Sequence, residues 1–214
     1  MTYTVKEVFL TVQGEGANIG RPAVFIRFAG CNLWSGREQD RAKAVCRFCD
    51  TDFVGGTKYA TAYELASMAA ALWPVGQHHQ MVVLTGGEPL LQVDATLLEM
   101  LRTCGFYTAV ETNGTQALRG HVDWLCVSPK AGAPLALRDA NELKLVYPQK
   151  GADPEAFADF AAPIRWLSPM ASQSPNSQVR ARVAKRNIAA ANAYCLAHPE
   201  WRLAIQAHKF WGVS

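Results

Sequence analysis

Apolar runs and helix-like segments alternate along most of the chain. The runs are rich in Val, Ile, Leu and Phe, and they stop at glycine, asparagine or proline, a pattern typical of buried strands bounded by turns. Counting the turn that closes each run, the pattern predicts six core strands, at residues 23–30, 80–89, 106–114, 123–130, 141–148 and 164–170. A last strand and turn are predicted for residues 202–210.

Segments with helical periodicity separate these strands. Thr61 followed by Glu64 forms a predicted capping box that opens a helix over residues 61–72. Further helices are predicted at residues 94–104, 153–160 and 177–197. The last is the longest, and its apolar positions recur at helical spacing, at Val179, Val183, Ala190, Tyr194 and Cys195.

The alternation of strand and helix predicts a fold class. Repeated strand–helix units are typical of a mainly parallel sheet with helices packed outside it. About six core strands are too few for a closed eight-stranded barrel. The sequence therefore predicts an α/β fold, an incomplete (partial) β/α barrel, as a single domain over residues 1–214. No repeat, linker or low-complexity segment divides that range.

Composition narrows the function classes. Half of the residues are hydrophobic and 18% are charged, as in a folded globular protein. The net charge of +3, without any basic run, does not favour a nucleic-acid partner. The apolar stretches are too short to span a bilayer, and the first residues lack the pattern of a secretory signal. We therefore expect a cytoplasmic protein, whose clustered cysteines are reduced metal or catalytic ligands rather than disulfides.

Chemically distinctive residues follow the predicted strands at their carboxyl ends. Parallel sheets of this class build their sites at that edge. The edge collects residues from five strands, at positions 31–49, 85–89, 111–113, 128–130 and 168–170. Because thiols, glycines and polar groups meet at one rim, the sequence predicts a single active site there.

Three of the six cysteines cluster in the loop after the first of these strands. Two residues separate Cys46 from Cys49, and fourteen separate Cys31 from Cys46. A closed zinc site takes four ligands, and no fourth partner accompanies these three. A cluster held by three thiols leaves one iron open to a substrate or cofactor, whereas ordinary electron-transfer clusters are held by four. The pattern therefore favours an open-iron cluster.

The other cysteines and a histidine pair have ordinary structural explanations. Cys104, Cys126 and Cys195 occur singly in predicted helices or a strand, and free cysteine is among the most buried residue types. We interpret them as buried thiols. His78 and His79 precede a strand at the end opposite the rim, so we expect exposed loop residues there.

Together these motifs resemble a known superfamily. The pair "CRFC", with an aromatic residue before its last cysteine, and "GGEP" after the second strand are similar to motifs of the radical S-adenosylmethionine enzymes. Members usually space their cysteines C-x3-C-x2-C, whereas this chain has C-x14-C-x2-C. A long first gap is a feature of the 7-carboxy-7-deazaguanine synthase family. Over nearly its full length the chain resembles that family, in "TVQGEG", "RPAVFIRFAGCNLW", "CDTDF", "TGGEPLLQ", "ETNGT", "VSPK", "NELKLV" and "IQAHKFWGV".

The resemblance implies cofactors and a reaction. Cys31, Cys46 and Cys49 would hold a [4Fe-4S] cluster whose open iron binds S-adenosyl-L-methionine. One electron from a low-potential donor, such as a flavodoxin or ferredoxin, would split that cofactor and give a 5′-deoxyadenosyl radical. In the family, the radical takes a hydrogen atom from 6-carboxy-5,6,7,8-tetrahydropterin, which loses ammonia and becomes 7-carboxy-7-deazaguanine for queuosine and 7-deazapurine biosynthesis. The resemblance thus predicts a lyase, with Mg²⁺ as a further cofactor and a homodimeric assembly.

The resemblance also implies which residues bind S-adenosylmethionine. "GGEP" is similar to the family segment that contacts the methionine amino group, although a tight turn explains its glycines as well. Ser128 and Lys130 suit the ribose and carboxylate or belong to a surface loop. The segment 172–176 lies near the adenosine or simply caps a helix. The cofactor residues so implied are Phe48, Cys49, Asp50, Gly86, Gly87, Glu88, Ser128, Pro129, Lys130, Gln173, Ser174, Pro175 and Asn176.

A second set of residues is expected to bind the pterin. Arg27 lies on an otherwise apolar strand, where its fork of donors matches a carboxylate, although an ion pair with a glutamate explains it too. Glu15 is suited to accept two N–H donors from the guanidine-like edge of the pterin. His208 is either a substrate contact or a capping residue. The implied substrate residues are Val12, Gln13, Gly14, Glu15, Arg27, Thr85 and His208.

A magnesium ligand is implied at Thr51, because the family needs Mg²⁺ and the resemblance places a protein ligand there. Mg²⁺ often takes only one or two protein ligands, so we expect the pterin to complete the site. Asp50 and Asp52 are expected to point away from the face of Thr51, since side chains alternate along an extended segment. The alternative is that Thr51 caps a turn.

Other interpretations stay open at this point. The insert at residues 32–45 carries Arg37, Arg41 and Lys43 on one possible helical face, and it either docks an acidic flavodoxin or is a solvated loop. A glycyl-radical-enzyme activase would share the cysteines and "GGEP". A non-catalytic zinc-binding module is compatible with "CRFC" alone, but the missing fourth ligand and the modest charge argue against it.

Overall fold

The computed structural model describes residues 2–213, so Met1 and Ser214, the ends of the expected domain, lie outside the described residues. Nine strands form one sheet in the order β3-β1-β2-β4-β5-β6-β7-β8-β9. Their bounds are β1 Tyr3–Val12, β2 Pro22–Phe28, β3 Thr57–Tyr59, β4 Met81–Gly86, β5 Tyr107–Thr112, β6 Trp124–Val127, β7 Glu142–Tyr147, β8 Ile164–Pro169 and β9 Trp201–Leu203.

The sheet is mostly parallel and larger than the six core strands that the sequence predicts. Those six correspond to β2 and β4 to β8, and β9 extends the parallel set to seven. β1 pairs antiparallel with β2, and β3 pairs antiparallel with β1. Within residues 2–213, β3 and β9 are the two edges, so the sheet is open.

The N-terminal strand β1 is absent from the sequence-based prediction for a physical reason. Its period of two is interrupted where Lys6 and Glu7 follow one another, and the register with β2 shifts between Val5 and Glu7. Such a bulge moves the side chains that follow to the opposite face. Alternation is therefore too weak along this segment to indicate a strand.

Three α-helices pack against the sheet, α1 Ala62–Leu72, α2 Ala95–Thr103 and α3 Ser177–Ala197, and a short fourth helix, α4 Ala207–Trp211, lies against the loop after β1. The predicted N-cap is confirmed, since Thr61 accepts a hydrogen bond from the backbone of Glu64, whereas the Glu64 carboxylate accepts one from the amide of Ala60 and not from that of Thr61. The predicted helix at 153–160 is a short 3-10 helix, Pro154–Phe157. The predicted strand and turn at 202–210 is wrong in part, because α4 follows β9 there.

The two faces of the sheet are filled differently. One face packs against the helices in a large apolar cluster that includes Leu65, Leu97 and Leu143. The other has a smaller apolar layer of Ala23, Met81, Val83 and Ala109. Because side chains alternate along each strand, polar residues of the same strands share this second face nearer their carboxyl ends. We call it the cavity face. None of the helices among residues 2–213 is long and apolar enough to cross a membrane.

Candidate active site

Two cavities adjoin at the carboxyl ends of the parallel strands. The first, of about 230 Å³, contains the three clustered cysteines, and we call it the cysteine cavity. The second, of about 420 Å³, contains Arg27, and we call it the arginine cavity. Six residues line both, namely Glu15, Asp50, Thr51, Thr85, Glu111 and Gln206. The predicted rim therefore carries two compartments with a common boundary.

The three clustered thiols line the same cavity. Cys31 follows β2 directly, and its sulfur accepts a hydrogen bond from the Leu33 amide at 3.4 Å. The Cys46 thiol donates to Cys49, which lowers the pKa of Cys49 to about 6, and hydrogen bonds from Thr51 act in the same direction. That bond and burial raise the pKa of Cys46, and burial raises that of Cys31. Cys49 is therefore the thiol of the three that ionises most easily, and binding of a metal would deprotonate the other two.

The donor set fits a cluster better than a single ion. Among the described residues, no three His, Cys, Asp or Glu side chains converge on a position that could hold one metal ion. A tetrahedral zinc requires such convergence. In a four-iron cubane each thiolate binds a different iron, so three thiols spread around one cavity are a compatible arrangement.

Arg41 holds the insert between the cysteines against residues 46–51. Residues 29–31 and 46–51 flank the insert, and we call them together the cluster loop. The Arg41 guanidinium donates to the carbonyls of Arg47 and Cys49, at 2.9 Å each, and lies 4.1 Å from the ring centre of Trp34. Its side chain is only 18% exposed. Of the three basic residues on the possible helical face, Arg41 is thus turned inward, whereas Arg37 and Lys43 are exposed.

Gly86 and Gly87 are required by the protein's own backbone. A Cβ on Gly86, whose φ is +132°, would clash with the carbonyl of Phe28. A Cβ on Gly87 would clash with the carbonyl of Gly30 and lie 2.9 Å from Cβ of Cys31. The amides of Gly87 and Glu88 donate to these two carbonyls. The glycines therefore bring the end of β4 against the cluster loop, and both also line the cysteine cavity.

Glu88 lies behind the cavity instead of lining it. Its side chain is fully buried and accepts hydrogen bonds from the Leu90 amide, the Thr112 hydroxyl and the Asn113 amide at 2.6–2.9 Å. Burial raises the pKa of this carboxyl group. In this structure Glu88 ties the turn after β4 to the end of β5.

The cofactor residues implied after β6 divide in two. Ser128 and Lys130 line the cysteine cavity, and the Lys130 ammonium donates to the Ser128 hydroxyl at 2.7 Å. Burial lowers the pKa of Lys130. Pro129 is buried between them and lines neither cavity.

The segment Gln173, Ser174, Pro175 and Asn176 also lies outside both cavities. Asn176 caps α3, because its side chain accepts from the amides of Gln178 and Val179. The Gln173 amide donates to the carbonyl of Phe48 at 3.1 Å, which joins this segment to the cluster loop. Phe48 itself lines the cysteine cavity.

All seven implied substrate residues line the arginine cavity. Arg27 forms an ion pair with Glu7 at 2.7 Å on the adjacent strand β1, and its side chain is 23% exposed. The rings of Phe9 and Phe25 stack beside it with their centres 5.5 Å apart. Arg27 therefore pairs with an internal glutamate and also lines a cavity, so the structure agrees with both explanations that the sequence left open.

A chain of buried polar contacts crosses the boundary between the cavities. Lys144 donates to Glu15 at 2.6 Å and to Glu111 at 2.9 Å. Gln206 donates to the second oxygen of Glu15, and Gln13 donates to the second oxygen of Glu111. Burial opposes ionisation of Glu15, but the attraction and hydrogen bond of Lys144 outweigh it and lower the pKa of Glu15 to about 2.

The C-terminal segment closes one side of the arginine cavity. The Ala207 amide donates to the carbonyl of Gly14 at 2.9 Å. His208 packs so tightly on Gly14 that any Cβ there would clash with its imidazole. Lys209 forms an ion pair with Asp50 at 3.2 Å. The loop after β1 and the start of α4 therefore hold one another.

The expected alternation around Thr51 is wrong. Asp50 lines both cavities together with Thr51, and Asp52 lines the arginine cavity. The segment is irregular rather than extended in a strand, so a period of two does not apply. Asp50 pairs with Lys209, and Asp52 pairs with Lys6 at 2.7 Å.

The remaining cysteines and histidines mostly agree with their interpretation. Cys126 is 3% exposed, and Cys104 and Cys195 are partly buried against the apolar core. His78 and His79 are exposed. Cys126 differs in one respect, since it lines the cysteine cavity from the floor.

Several lining residues escaped assignment from the sequence, among them Phe9, Trp34, Glu111, Lys144 and Gln206. A usable signal was present for Lys144, which is a charged residue inside an apolar strand, as Arg27 is. No comparable signal marks Gln206, because its role depends on a contact with a residue 191 positions away.

Comparison with known proteins gives closely similar relatives. No protein-family model matches the chain. A 7-carboxy-7-deazaguanine synthase of Caulobacter vibrioides is 53% identical and one of Bradyrhizobium diazoefficiens is 54% identical, each over 218 residues and 100% of both chains. The crystal structure of QueE from Escherichia coli matches with a TM-score of 0.67 at 27% identity, covering 97% of this chain and 95% of that one.

Proposed function

Because this chain belongs to the 7-carboxy-7-deazaguanine synthase family, with a role in 7-deazapurine biosynthesis, we propose the reaction that it catalyses. The chain converts 6-carboxy-5,6,7,8-tetrahydropterin to 7-carboxy-7-deazaguanine with loss of ammonia, as a radical S-adenosylmethionine lyase. The observation that carries the proposal is the adjacency of a three-thiol cavity and a cavity containing Arg27. Nothing in the site favours the activase or the zinc module.

In this proposal Cys31, Cys46 and Cys49 hold a [4Fe-4S] cluster. Their thiols line one cavity, and the fourth thiol there, Cys126, is buried in the floor. Three thiolate ligands would leave the cluster open to S-adenosylmethionine. When bound, the cluster and S-adenosylmethionine supply the one-electron chemistry that removes a hydrogen atom from the substrate.

In this proposal S-adenosylmethionine binds beside the cluster, against the other residues of the cysteine cavity. Phe48, Asp50, the two glycines after β4, Ser128 and Lys130 line it. Glu88 and Pro129 support these residues from behind. The segment 173–176 reaches the same loop only through the contact of Gln173 with Phe48, so its part in binding the adenosine is the least direct of these assignments.

The arginine cavity takes the pterin in this proposal. Arg27 presents guanidinium donors to the 6-carboxylate, since its Nε alone is committed to Glu7. The stacked rings of Phe9 and Phe25 offer an apolar wall to the flat bicycle. Glu15 is ionised and accepts N–H donors with the lone pairs that Lys144 and Gln206 leave free.

The reaction tests the proposal directly. The protein, reconstituted with iron and sulfide under anaerobic conditions, is incubated with S-adenosylmethionine, a low-potential reductant and the carboxytetrahydropterin. We expect a brown protein, bleached by oxygen, and a product with the mass of 7-carboxy-7-deazaguanine. Reactions that lack S-adenosylmethionine serve as the control. A cluster-loaded protein that cleaves S-adenosylmethionine yet never yields this product contradicts the proposed substrate.

Arg27→Ala is expected to raise the substrate KM by about tenfold or more, the equivalent of one charge-assisted hydrogen-bonded contact. Cleavage of S-adenosylmethionine without substrate should stay near the parent rate, because Arg27 lies outside the cysteine cavity. Steady-state kinetics and cleavage measured by chromatography check both values. Glu7→Gln is the matched control, since it breaks the ion pair but keeps the guanidinium. Equal losses in both assays for Arg27→Ala would make Arg27 structural.

Thr51→Ala is expected to keep cluster and S-adenosylmethionine cleavage but to lose most of the Mg²⁺ stimulation of product formation. The reason is that Thr51 lines both cavities and offers an oxygen at their boundary. Thr51→Ser keeps the hydroxyl and should respond to Mg²⁺ like the parent. If Thr51→Ala also responds like the parent, the ligand is elsewhere, and Asp50 becomes the better candidate.

Several properties complete the proposal. The open sheet closes partway around the cavities, as in an incomplete β/α barrel, and residues 1–214 form a single domain with an insert at 32–45. A flavodoxin or ferredoxin supplies the electron, the chain is a homodimer, and it works in the cytoplasm. These assignments follow from the family resemblance and from the reducing conditions that clustered thiols need.

A further inference from the structure

The loop after β1 carries residues of the arginine cavity without being part of the sheet. Gln13, Gly14 and Glu15 line that cavity, and the 3-10 helix Gly16–Asn18 follows directly. A loop in this position would need anchoring, because an ordered acceptor such as Glu15 binds a ligand at a lower entropic cost than a mobile one. Strand β7 supplies the anchors on the cavity face.

The first anchor is Lys144, which lies between two carboxylates. It is 8% exposed and reaches Glu15 from the loop and Glu111 from β5 at 2.6 and 2.9 Å. Its charge keeps Glu15 ionised despite burial. Through Glu111 it also fixes the amide of Gln13. Lys144 therefore orients two loop side chains at once.

The second anchor is Glu142, two positions earlier on the same face of β7. It is 4% exposed and lines neither cavity. One carboxylate oxygen accepts the Trp124 indole N–H at 2.8 Å. The other accepts the Trp166 indole N–H at 2.7 Å and the backbone amide of Ala17 at 2.9 Å. Two neighbouring strands thus orient Glu142 toward the loop backbone.

Gly16 of the loop packs directly against the carboxylate of Glu142, so the loop cannot move closer to β7. A Cβ at Gly16, whose φ is +68°, would lie 2.7 Å from Oε1 and 2.9 Å from Oε2 of Glu142. The three donors to Glu142 are neutral N–H groups that would be left unsatisfied without it, and its carboxylate would be a costly buried charge without them. An apolar side chain at position 142 could not accept these three hydrogen bonds, one of which comes from the loop backbone.

We infer that Glu142 and Lys144 are positioning residues, which latch the loop of residues 13–18 to β7 and so orient Gln13 and Glu15 toward the substrate. This inference rests on the proposed function for the identity of the substrate. Glu142 acts entirely through the loop, and Lys144 acts through the two carboxylates. Loss of the latch should weaken binding of the pterin, and loss of Glu142, which lines neither cavity, should leave the binding of S-adenosylmethionine intact.

Glu142→Leu tests the latch. Leucine has no acceptor, so all three hydrogen bonds, including the one from the Ala17 amide, are lost with little change in volume. We expect the KM of the carboxytetrahydropterin to rise about tenfold, with kcat and uncoupled S-adenosylmethionine cleavage near parent values. Hydrogen exchange measured by mass spectrometry should increase in the peptide containing Ala17, and the near-ultraviolet circular dichroism of the tryptophans should change.

Lys144→Met is the second variant. It should also raise the KM of the carboxytetrahydropterin and increase hydrogen exchange in the loop.

Asp123→Leu is the matched control. Its carboxylate also accepts two hydrogen bonds, from the amide and hydroxyl of Thr108, and it touches neither cavity. It should lower stability while leaving KM and loop exchange unchanged. Parent-like KM and exchange in both latch variants would overturn the inference, as would equal losses in substrate KM and uncoupled cleavage. A parent protein without turnover of this pterin would instead overturn the proposed substrate, and the exchange comparison would still decide whether Glu142 holds the loop.

Discussion

Alanine at Cys31, Cys46 or Cys49 is expected to remove the iron–sulfur cluster and all radical chemistry with it. The three thiols line one cavity and are the ligands that we propose, and two thiolates hold a cubane poorly. After anaerobic reconstitution the parent should hold about four irons per chain, and each variant should fall to a small fraction of that. Iron and sulfide analysis together with visible absorption measure the effect.

Serine substitutions at the other three cysteines are the controls. Cys104 and Cys195 lie against the helical side of the core, so they should keep the full iron content. Cys126→Ser is the sharper control, because Cys126 lines the same cavity as the ligands. It should also keep the cluster, with a modest loss of stability from its buried position. A full iron complement in any of the three alanine variants would refute the ligand assignment.

Gly87→Ala is expected to produce the second largest effect. The added Cβ would clash with the carbonyl of Gly30 and lie 2.9 Å from Cβ of Cys31, so the end of β4 and the cluster loop must separate. Overpacking of this kind costs about 1–3 kcal/mol of folding free energy. Because the displaced residue adjoins a cluster ligand, we expect a lower midpoint of urea unfolding together with weak S-adenosylmethionine binding and reduced cluster content.

Gly132→Ala separates the clash from the general cost of replacing a glycine. Gly132 has a φ of +78°, but nothing lies within 4 Å of the position that its Cβ would take. It should lose about 1 kcal/mol of stability through backbone strain and keep its cluster and cofactor affinity. If Gly87→Ala behaves in the same way as Gly132→Ala, then the contact between β4 and the cluster loop is not needed for the site.

The parallel strands and most of the residues that line the two cavities were predictable from the sequence. The apolar runs that became β2 and β4 to β7 are mostly buried, so local composition was enough to mark them, whereas β8 is only partly buried. All seven implied substrate residues line one cavity, and the three thiols line its neighbour. These residues are found from sequence because each is unusual where it stands: a thiol pair at short spacing, a double glycine after a strand, and Arg27 in an apolar run.

The contacts that join these residues are visible only in the folded structure. Lys144, Glu142 and Gln206 have partners 125 to 191 positions away in the chain, and no local pattern identifies those partners, although the charge of Lys144 inside an apolar strand marks the residue itself. The two glycines of "GGEP" were open to two explanations until the backbone of β2 was found against them. Strand β1 and the position of Asp50 beside Thr51 likewise depend on a bulge and an irregular loop, whose geometry is set by packing rather than by the order of residues. Local sequence specifies which groups are present, and long-range contacts specify which of them meet.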